Sequence, residues 1–187
     1  MELHIVETIN ILHVSDFHIR TEDERDIKDR FKALFRDIER LEIPIHIVAV
    51  TGDIAYHGKP EEYELAENLF FSKLSSNMNI KRSNIIVTPG NHDIARDQVD
   101  PVVEAGLQSI IVSPSVADKY IAHESSIKRL SSFINFSKKY GNPDSRVWYT
   151  REITVNGLTI SFTCLNSSWR CSKDNEDGSL FLGEQQV

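Results

Sequence analysis

Residues 84–93 read Asn84-Ile85-Ile86-Val87-Thr88-Pro89-Gly90-Asn91-His92-Asp93: a short apolar run, a proline and glycine, then an amide, an imidazole and a carboxylate. A run of this length bounded by turn residues reads as a buried strand, Asn84 to Val87, and the glycine lets the backbone turn sharply where the strand stops. Working outward, the same pattern recurs twice upstream. Ile45 to Val50 runs into Thr51-Gly52-Asp53, and Ile9 to Val14 runs into Ser15-Asp16-Phe17-His18. Between the strands lie two helical stripes. Ile27, Phe31, Leu34, Phe35, Ile38 and Leu41 recur at spacings of three and four, with Thr21 and Glu24 in the form of a capping box before them. Pro60 opens a second helix whose apolar stripe is Tyr63, Ala66, Leu69, Phe70 and Leu74, with Glu61, Glu62 and Glu64 near its start. Three strands with intervening helices predict an α/β fold built on a parallel sheet with right-handed crossovers. Ligands of such sheets bind beyond the carboxyl ends of the strands, where Asp16, Asp53 and Asn91 fall.

Downstream, residues 94–145 lose this rhythm. Helical pieces are expected around Val116 to His123 and Ser126 to Tyr140, with Pro101 and Pro114 breaking the stretch before them, and the whole reads as a cover or lid. From Val147 the period becomes two. Val147, Tyr149, Ile153 and Val155 alternate with Trp148, Thr150, Glu152 and Thr154, Arg151 being the exception on the apolar face. Asn156-Gly157 favours a two-residue turn, which pairs Val155 with Leu158, Ile153 with Ile160 and Tyr149 with Cys164. Asp174 to Ser179 reads as an exposed turn. Gly183-Glu184-Gln185-Gln186-Val187 reads as the start of a helix, so the domain is expected to continue beyond residue 187.

The chain has 187 residues, 40% hydrophobic and 26% charged, enough for one domain with a substantial core. Its 21 Lys and Arg against 28 Asp and Glu give a net charge of −7, which argues against gripping nucleic acid or anionic lipid by bulk charge. The 2 cysteines, Cys164 and Cys171, form no CxxC pair and read as reduced structural thiols. No apolar run approaches the ~18 residues of a membrane span, so a cytoplasmic location is the expectation.

Asp16 and His18, two apart on an extended backbone, would lie on one side and share an ion. A carboxylate with an imidazole suits Zn, Mn or Fe better than Mg. Gly52-Asp53 adds a carboxylate at the next strand end, and Gly90-Asn91-His92-Asp93 an amide, an imidazole and another carboxylate at the third. The tetrapeptide GNHD arises by chance in roughly one chain per thousand of this length, and here it follows DxH and GD on successive strand ends.

With these motifs the chain resembles the calcineurin-like metallophosphoesterases, whose ordered signature is DxH, GD and GNHD followed by further histidine motifs. The LHVSDFHI and GNHD segments look most like the branch that includes class III cyclic-nucleotide phosphodiesterases, and the ending Leu182 to Gln186 is similar to a helix start common after the third motif. The resemblance implies a layered αββα sandwich, here without its C-terminal strands. It implies two divalent ions, Mn, Fe or Zn: Asp16 and His18 on the first, Asp53 bridging, Asn91 on the second. The reaction would be hydrolysis of a phosphodiester or phosphomonoester by a hydroxide activated by the two metals. His92 would face the substrate, orienting phosphate or protonating the leaving oxygen. On its adjacency alone, Asp93 reads as its catalytic partner, orienting the ring or raising its pKa. The pattern requires three further metal histidines, yet after Asp93 the sequence holds only His123, in a helix and not expected to be a ligand. The residues of this chain are therefore expected to hold at most one ion well, with weak or no activity.

His57, in the loop after Asp53, and Arg20 and Arg96, each close to a metal motif, are candidates for touching substrate phosphate. His13, inside the first strand, reads as a hydrogen-bonded core residue. The net charge favours a small nucleotide over nucleic acid as substrate. An exposed side of the hairpin predicts self-association or a partner. Two alternatives stand beside this reading: a DNA-repair-type metallonuclease with the same motifs, and a non-catalytic interaction module with the same fold.

Overall fold

The computed structural model describes residues 8–142, 147–173, 180 and 182–187; the expected turn at 174–179 and the last part of the expected cover, 143–146, lie outside the described residues. Three strands, β1 (Ile11–Val14), β2 (Ile47–Thr51) and β3 (Ile85–Thr88), form a parallel sheet in that order. Val14 pairs with Val50 and Val50 with Val87, so the strands stop at the same level and their terminal loops lie side by side. The pairing extends past the strands: the Gly52 N–H donates to the Thr88 carbonyl (2.9 Å), Asp16 N–H to Gly52 (3.2 Å) and His18 N–H to Asp53 (2.9 Å).

Helix α1 (Glu24–Arg40) returns the chain from β1 to β2 and buries Ile27, Phe31, Phe35 and Ile38 of the expected stripe; Leu34 is half-buried, and Leu41, just past the helix, is exposed. The expected capping box is not formed. Thr21–Asp23 is a 3-10 turn, and the Thr21 hydroxyl donates to Glu22 rather than capping the helix. The second crossover is α2 (Pro60–Ala66), a π-helical turn (Glu67–Phe71) and α3 (Ser72–Met78). Wider winding in the π turn lets the adjacent Phe70 and Phe71 both turn inward, to 0% and 2% exposure, where a regular period places only Phe70 on the stripe. These helices cover one face of the sheet, packing Phe17, Phe31, Phe35 and Phe70 against Val48, Val50, Ile85 and Val87. Each such side chain contributes roughly 1.5–3 kcal/mol by leaving water.

Within 101–140 the helices are short pieces: Pro101 and Pro114 begin helices instead of breaking the stretch, and the helix expected over Val116 to His123 gives way to turn after Ala117. A proline costs nothing at the first helical position, whose N–H has no intrahelical partner. α4 (Pro101–Ile110) is capped by the Asp100 carboxylate, which accepts from the Val102 and Val103 N–H groups at 2.9 and 3.2 Å. α5 (Pro114–Ala117), α6 (Glu124–Arg129) and α7 (Ser131–Ser137) follow. The Glu104 carboxylate of α4 is buried between the guanidinium groups of Arg129 on α6 (2.6 Å) and Arg170 in the segment after the hairpin.

The hairpin has the expected register: β4 (Tyr149–Val155) pairs with β5 (Leu158–Cys164) through Val155–Leu158, Ile153–Ile160 and Tyr149–Cys164. Tyr149, Ile153 and Cys164 pack on Ile47, Ala49 and Ile86, the sheet face away from the helices. β4 also closes the outer edge of β3. The Tyr149 hydroxyl donates to the Val87 carbonyl (2.7 Å) and accepts from its N–H (3.3 Å), while Arg151 donates to the carbonyls of Ile85 (3.3 Å) and Tyr140. Arg151 breaks the apolar alternation because it satisfies backbone groups that, among the described residues, no further strand takes up. His13 is hydrogen-bonded as expected, to Thr51 Oγ1 (2.6 Å), but is exposed rather than in the core, and among the described residues β1 pairs on one side only. Cys164 and Cys171 are free and buried. Among the described residues no helix is long and apolar enough to cross a membrane.

Candidate metal centre

Asp16, His18 and Asp53 adopt positive φ, at 58°, 46° and 53°. The extended backbone expected for the DxH pair is therefore absent. Each left-handed residue costs roughly 1–2 kcal/mol. The cost is sustained by the hydrogen bonds that lock residues 16–19 alongside 52–56. The two side chains nevertheless meet: His18 Nε2 lies 3.8 Å from Asp16 Oδ1 and 3.9 Å from Asp53 Oδ2.

The third loop arrives through Gly90, which presses against Asp53. A Cβ there would fall 2.1 Å from Asp53 Oδ1, so the close approach requires glycine. The His92 N–H then donates to that same Oδ1 (2.9 Å), leaving Oδ2 turned toward His18. The His92 ring crosses the His18 ring at 88° with centroids 4.6 Å apart. One ligand atom from each of His18, Asp53 and His92 lies within 4.8 Å of the others. His92 Nδ1 is 3.1 Å from the Tyr56 carbonyl, which only accepts, so Nδ1 carries the proton and Nε2 presents a lone pair when the ring is neutral.

Burial is the main cause holding the His18 pKa below its ordinary value; His92 and Arg20 act the same way, and Asp53 and Asp16 oppose them. His18 is thus neutral near pH 7, the state in which imidazole binds a metal. Its Nδ1 is buried without a hydrogen-bond partner among the described residues. Imidazole nitrogens facing carboxylate oxygens across a few ångströms make a donor set that fits a borderline divalent ion.

Residues 9–176 match the calcineurin-like phosphoesterase family. The chain belongs to that family. It is 28% identical over 190 residues to the uncharacterized metallophosphoesterase-like protein YydB of Bacillus subtilis (strain 168), covering 96% of this chain and 37% of that protein. It is 24% identical over 179 residues to the 3',5'-cyclic-nucleotide phosphodiesterase alr5338 of Nostoc sp. (strain PCC 7120 / SAG 25.82 / UTEX 2576), covering 86% of this chain and 63% of that one. The chain thus spans less than two thirds of the length of either relative.

Asn91, half-buried, stands on the 3-10 turn Asn91–Asp93, between Gly90 and His92, both of which touch Asp53. Asp93 does not orient the His92 ring; that contact belongs to the Tyr56 carbonyl. At 0% exposure its carboxylate instead accepts the N–H groups of Ile54 (3.3 Å), Ala55 (3.0 Å) and Gly90 (2.8 Å) and the Tyr63 hydroxyl (2.8 Å). It ties the Asp53 loop to the Gly90 turn. Burial pushes Asp93 up to about 6, against the downward pull of the Gly90, Ala55 and Tyr63 hydrogen bonds.

The remaining candidates separate. His57 is held by Glu62, whose buried carboxylate takes the ring Nδ1 (2.8 Å) and the His57 and Lys59 N–H groups (2.9 and 3.1 Å). Arg20 stacks its guanidinium 3.4 Å from the centroid of the Tyr56 ring. Arg96 lines a cavity with Pro101, Glu104 and Lys173 rather than the cluster. His123 caps α6, its Nδ1 accepting from the Ser125 N–H. Tyr56 is the residue that sequence reasoning missed. Its ring lies 4.7 Å from that of His92 and 5.8 Å from that of His18, and its place three residues after Asp53, in a strand-end loop, was the available signal.

Proposed function

We propose that the protein is a metal-dependent hydrolase of phosphodiesters or phosphomonoesters, with a small nucleotide favoured over nucleic acid. Asp16 and His18 would hold one ion, Asp53 would bridge to a second on Asn91, and the residues of this chain would hold at most one of the two well. The observation that carries the reading is the meeting of His18, Asp53 and His92 within 4.8 Å at the carboxyl ends of parallel strands, in a chain of this family. Divalent ions such as Mn, Fe or Zn, when bound, supply positive charge for a phosphate and lower the pKa of a bound water.

The protein's own groups do the rest. Asp53 keeps Oδ2 for metal because Oδ1 is engaged by the His92 N–H. His92, its Nδ1 proton fixed on the Tyr56 carbonyl, is placed to exchange a proton with substrate at Nε2. Asp93 and Tyr63 act as positioning residues by joining the loops that carry Asp53 and His92. A small nucleotide is supported by the net charge of −7 and by the likeness to the cyclic-nucleotide phosphodiesterase of Nostoc. A layered αββα sandwich is supported by the helix, sheet and hairpin layers. The free buried cysteines support a reducing compartment such as the cytoplasm. Leu158, 48% exposed on the hairpin, supports self-association.

Titration with manganese and zinc, metal counting and turnover of an aryl phosphodiester test this function. Asp53→Asn is expected to lose metal and turnover together. His92→Ala is expected to lose turnover with metal content near wild type. Equal metal loss in both variants would move His92 into the ligand set, and a wild-type protein that takes up no divalent ion would end the reading.

A further inference from the structure

The two histidines of the loops around the cluster have Nδ1 engaged within the protein: His92 Nδ1 meets the Tyr56 carbonyl and His57 Nδ1 the Glu62 carboxylate, so each ring has only Nε2 left for a phosphate oxygen. Beside them stands one group that can only donate. Arg20 is brought there by the backbone: Ile19 bridges Ala55 in parallel, and the Tyr56 N–H donates to the Ile19 carbonyl (3.1 Å), which sets Arg20 and Tyr56 side by side. The guanidinium lies flat at 3.4 Å from the Tyr56 ring centroid, and that ring is 4.7 Å from the ring of His92. Stacking occupies the face of a guanidinium and leaves its N–H fork free at the edge, the geometry that suits phosphate oxygens. Among the described residues no carboxylate forms an ion pair with Arg20.

We propose that Arg20, seated on Tyr56 beside His92, recognises the additional anionic oxygen of a phosphomonoester and makes the site selective for terminal phosphate groups over phosphodiesters. This rests on the phosphoesterase reading and narrows its substrate class. A diester carries one negative charge on two non-bridging oxygens, which bound metal can satisfy. A monoester at pH 8 carries nearly two charges on three, and the third oxygen needs a cation that is not a metal. The guanidinium of Arg20, a forked donor that cannot accept, suits that oxygen.

Calorimetric titration at pH 8 of the manganese-loaded protein with inorganic phosphate, and separately with dimethyl phosphate, distinguishes the two anions without turnover. Arg20→Gln is expected to bind phosphate roughly 10-fold more weakly, the loss of a charge-assisted hydrogen bond, with dimethyl phosphate changed less than about 3-fold. Tyr56→Leu removes the ring but keeps the carbonyl that holds His92, and is expected to weaken phosphate several-fold with manganese content unchanged. A wild-type protein that takes up manganese but binds phosphate no better than Arg20→Gln overturns the role of Arg20 and leaves the phosphoesterase reading standing. Equal losses for the two anions overturn the selectivity. Failure of the wild type to take up manganese overturns the reading beneath both.

Discussion

Replacing Gly90 by alanine sets two effects against each other. The residue lies at φ −111° and ψ −171°, extended backbone that alanine adopts freely, so its influence on the unfolded chain alone would stabilise by roughly 0.4–1 kcal/mol. Contact decides otherwise. The new Cβ would lie 2.1 Å from Asp53 Oδ1, 2.6 Å from its backbone N and 2.8 Å from Cγ, whereas ordinary contact begins at 3.4 Å. Relieving the closest of these by moving the carboxylate takes a shift of 3.4 − 2.1 = 1.3 Å, and the backbone contact demands that the two loops part as well. Overpacking costs about 1–3 kcal/mol, and losing the His92 N–H to Asp53 hydrogen bond adds about 1.5 kcal/mol or more. The net expectation is a loss of about 2–4 kcal/mol, a fall in Tm of roughly 5–15 °C for a chain of this size. Metal ligands tolerate displacements of about 0.2 Å, so manganese affinity should fall at least 10-fold. Thermal unfolding and manganese calorimetry read both effects. Gly106→Ala is the control: nothing lies within 4 Å of its added Cβ on α4, and a gain of about 0.5–1 kcal/mol is expected. A Gly90→Ala protein as stable as wild type, with manganese affinity within twofold, would refute the close approach on which the Asp53 geometry depends.

Glu104→Gln should destabilise by about 3–5 kcal/mol, measured by urea unfolding, because Arg129 and Arg170 stay buried around a group that no longer carries their countercharge. Tyr149→Phe should cost about 1–2 kcal/mol by exposing the edge of β3 where the hydroxyl now meets the Val87 carbonyl. The same variant carries a pH signature. Burial raises the Tyr149 phenol above its ordinary value near 10, so the unfolded chain ionises first and stability present below pH 10 is lost above it. Tyr149→Phe should flatten that alkaline decline, and an unchanged slope between pH 9 and 11 would assign it elsewhere.

Much of the fold was legible because it is local. Apolar runs, the stripes of α1 and α2, and the Asn156-Gly157 turn are written in spacing, and the hairpin register follows from two adjacent residues. Errors fall at element ends and edges, where capping and pairing decide against the apolar spacing. Thr21 lost its cap to a 3-10 turn, the prolines at 101 and 114 started helices that Asp100 and Ser113 precede, and His13 emerged on a strand that, among the described residues, pairs on one side only.

The sequence by itself determined where the polar motifs fall, because a polar motif at the end of each apolar run is carried to the same edge of any parallel sheet those runs build. It named Asp16, His18, Asp53, Asn91 and His92 on that ground. Only the tertiary structure decided how they face one another. The left-handed turns at Asp16, His18 and Asp53 exist because hydrogen bonds from the neighbouring loop hold them there. Asp93 became a tie between loops rather than the partner of His92 because three backbone N–H groups and the Tyr63 hydroxyl converge on it from elements 30 or more residues away and from its own turn. Tyr56 entered the site through a carbonyl, a group every residue carries, whose role is set by where folding points it.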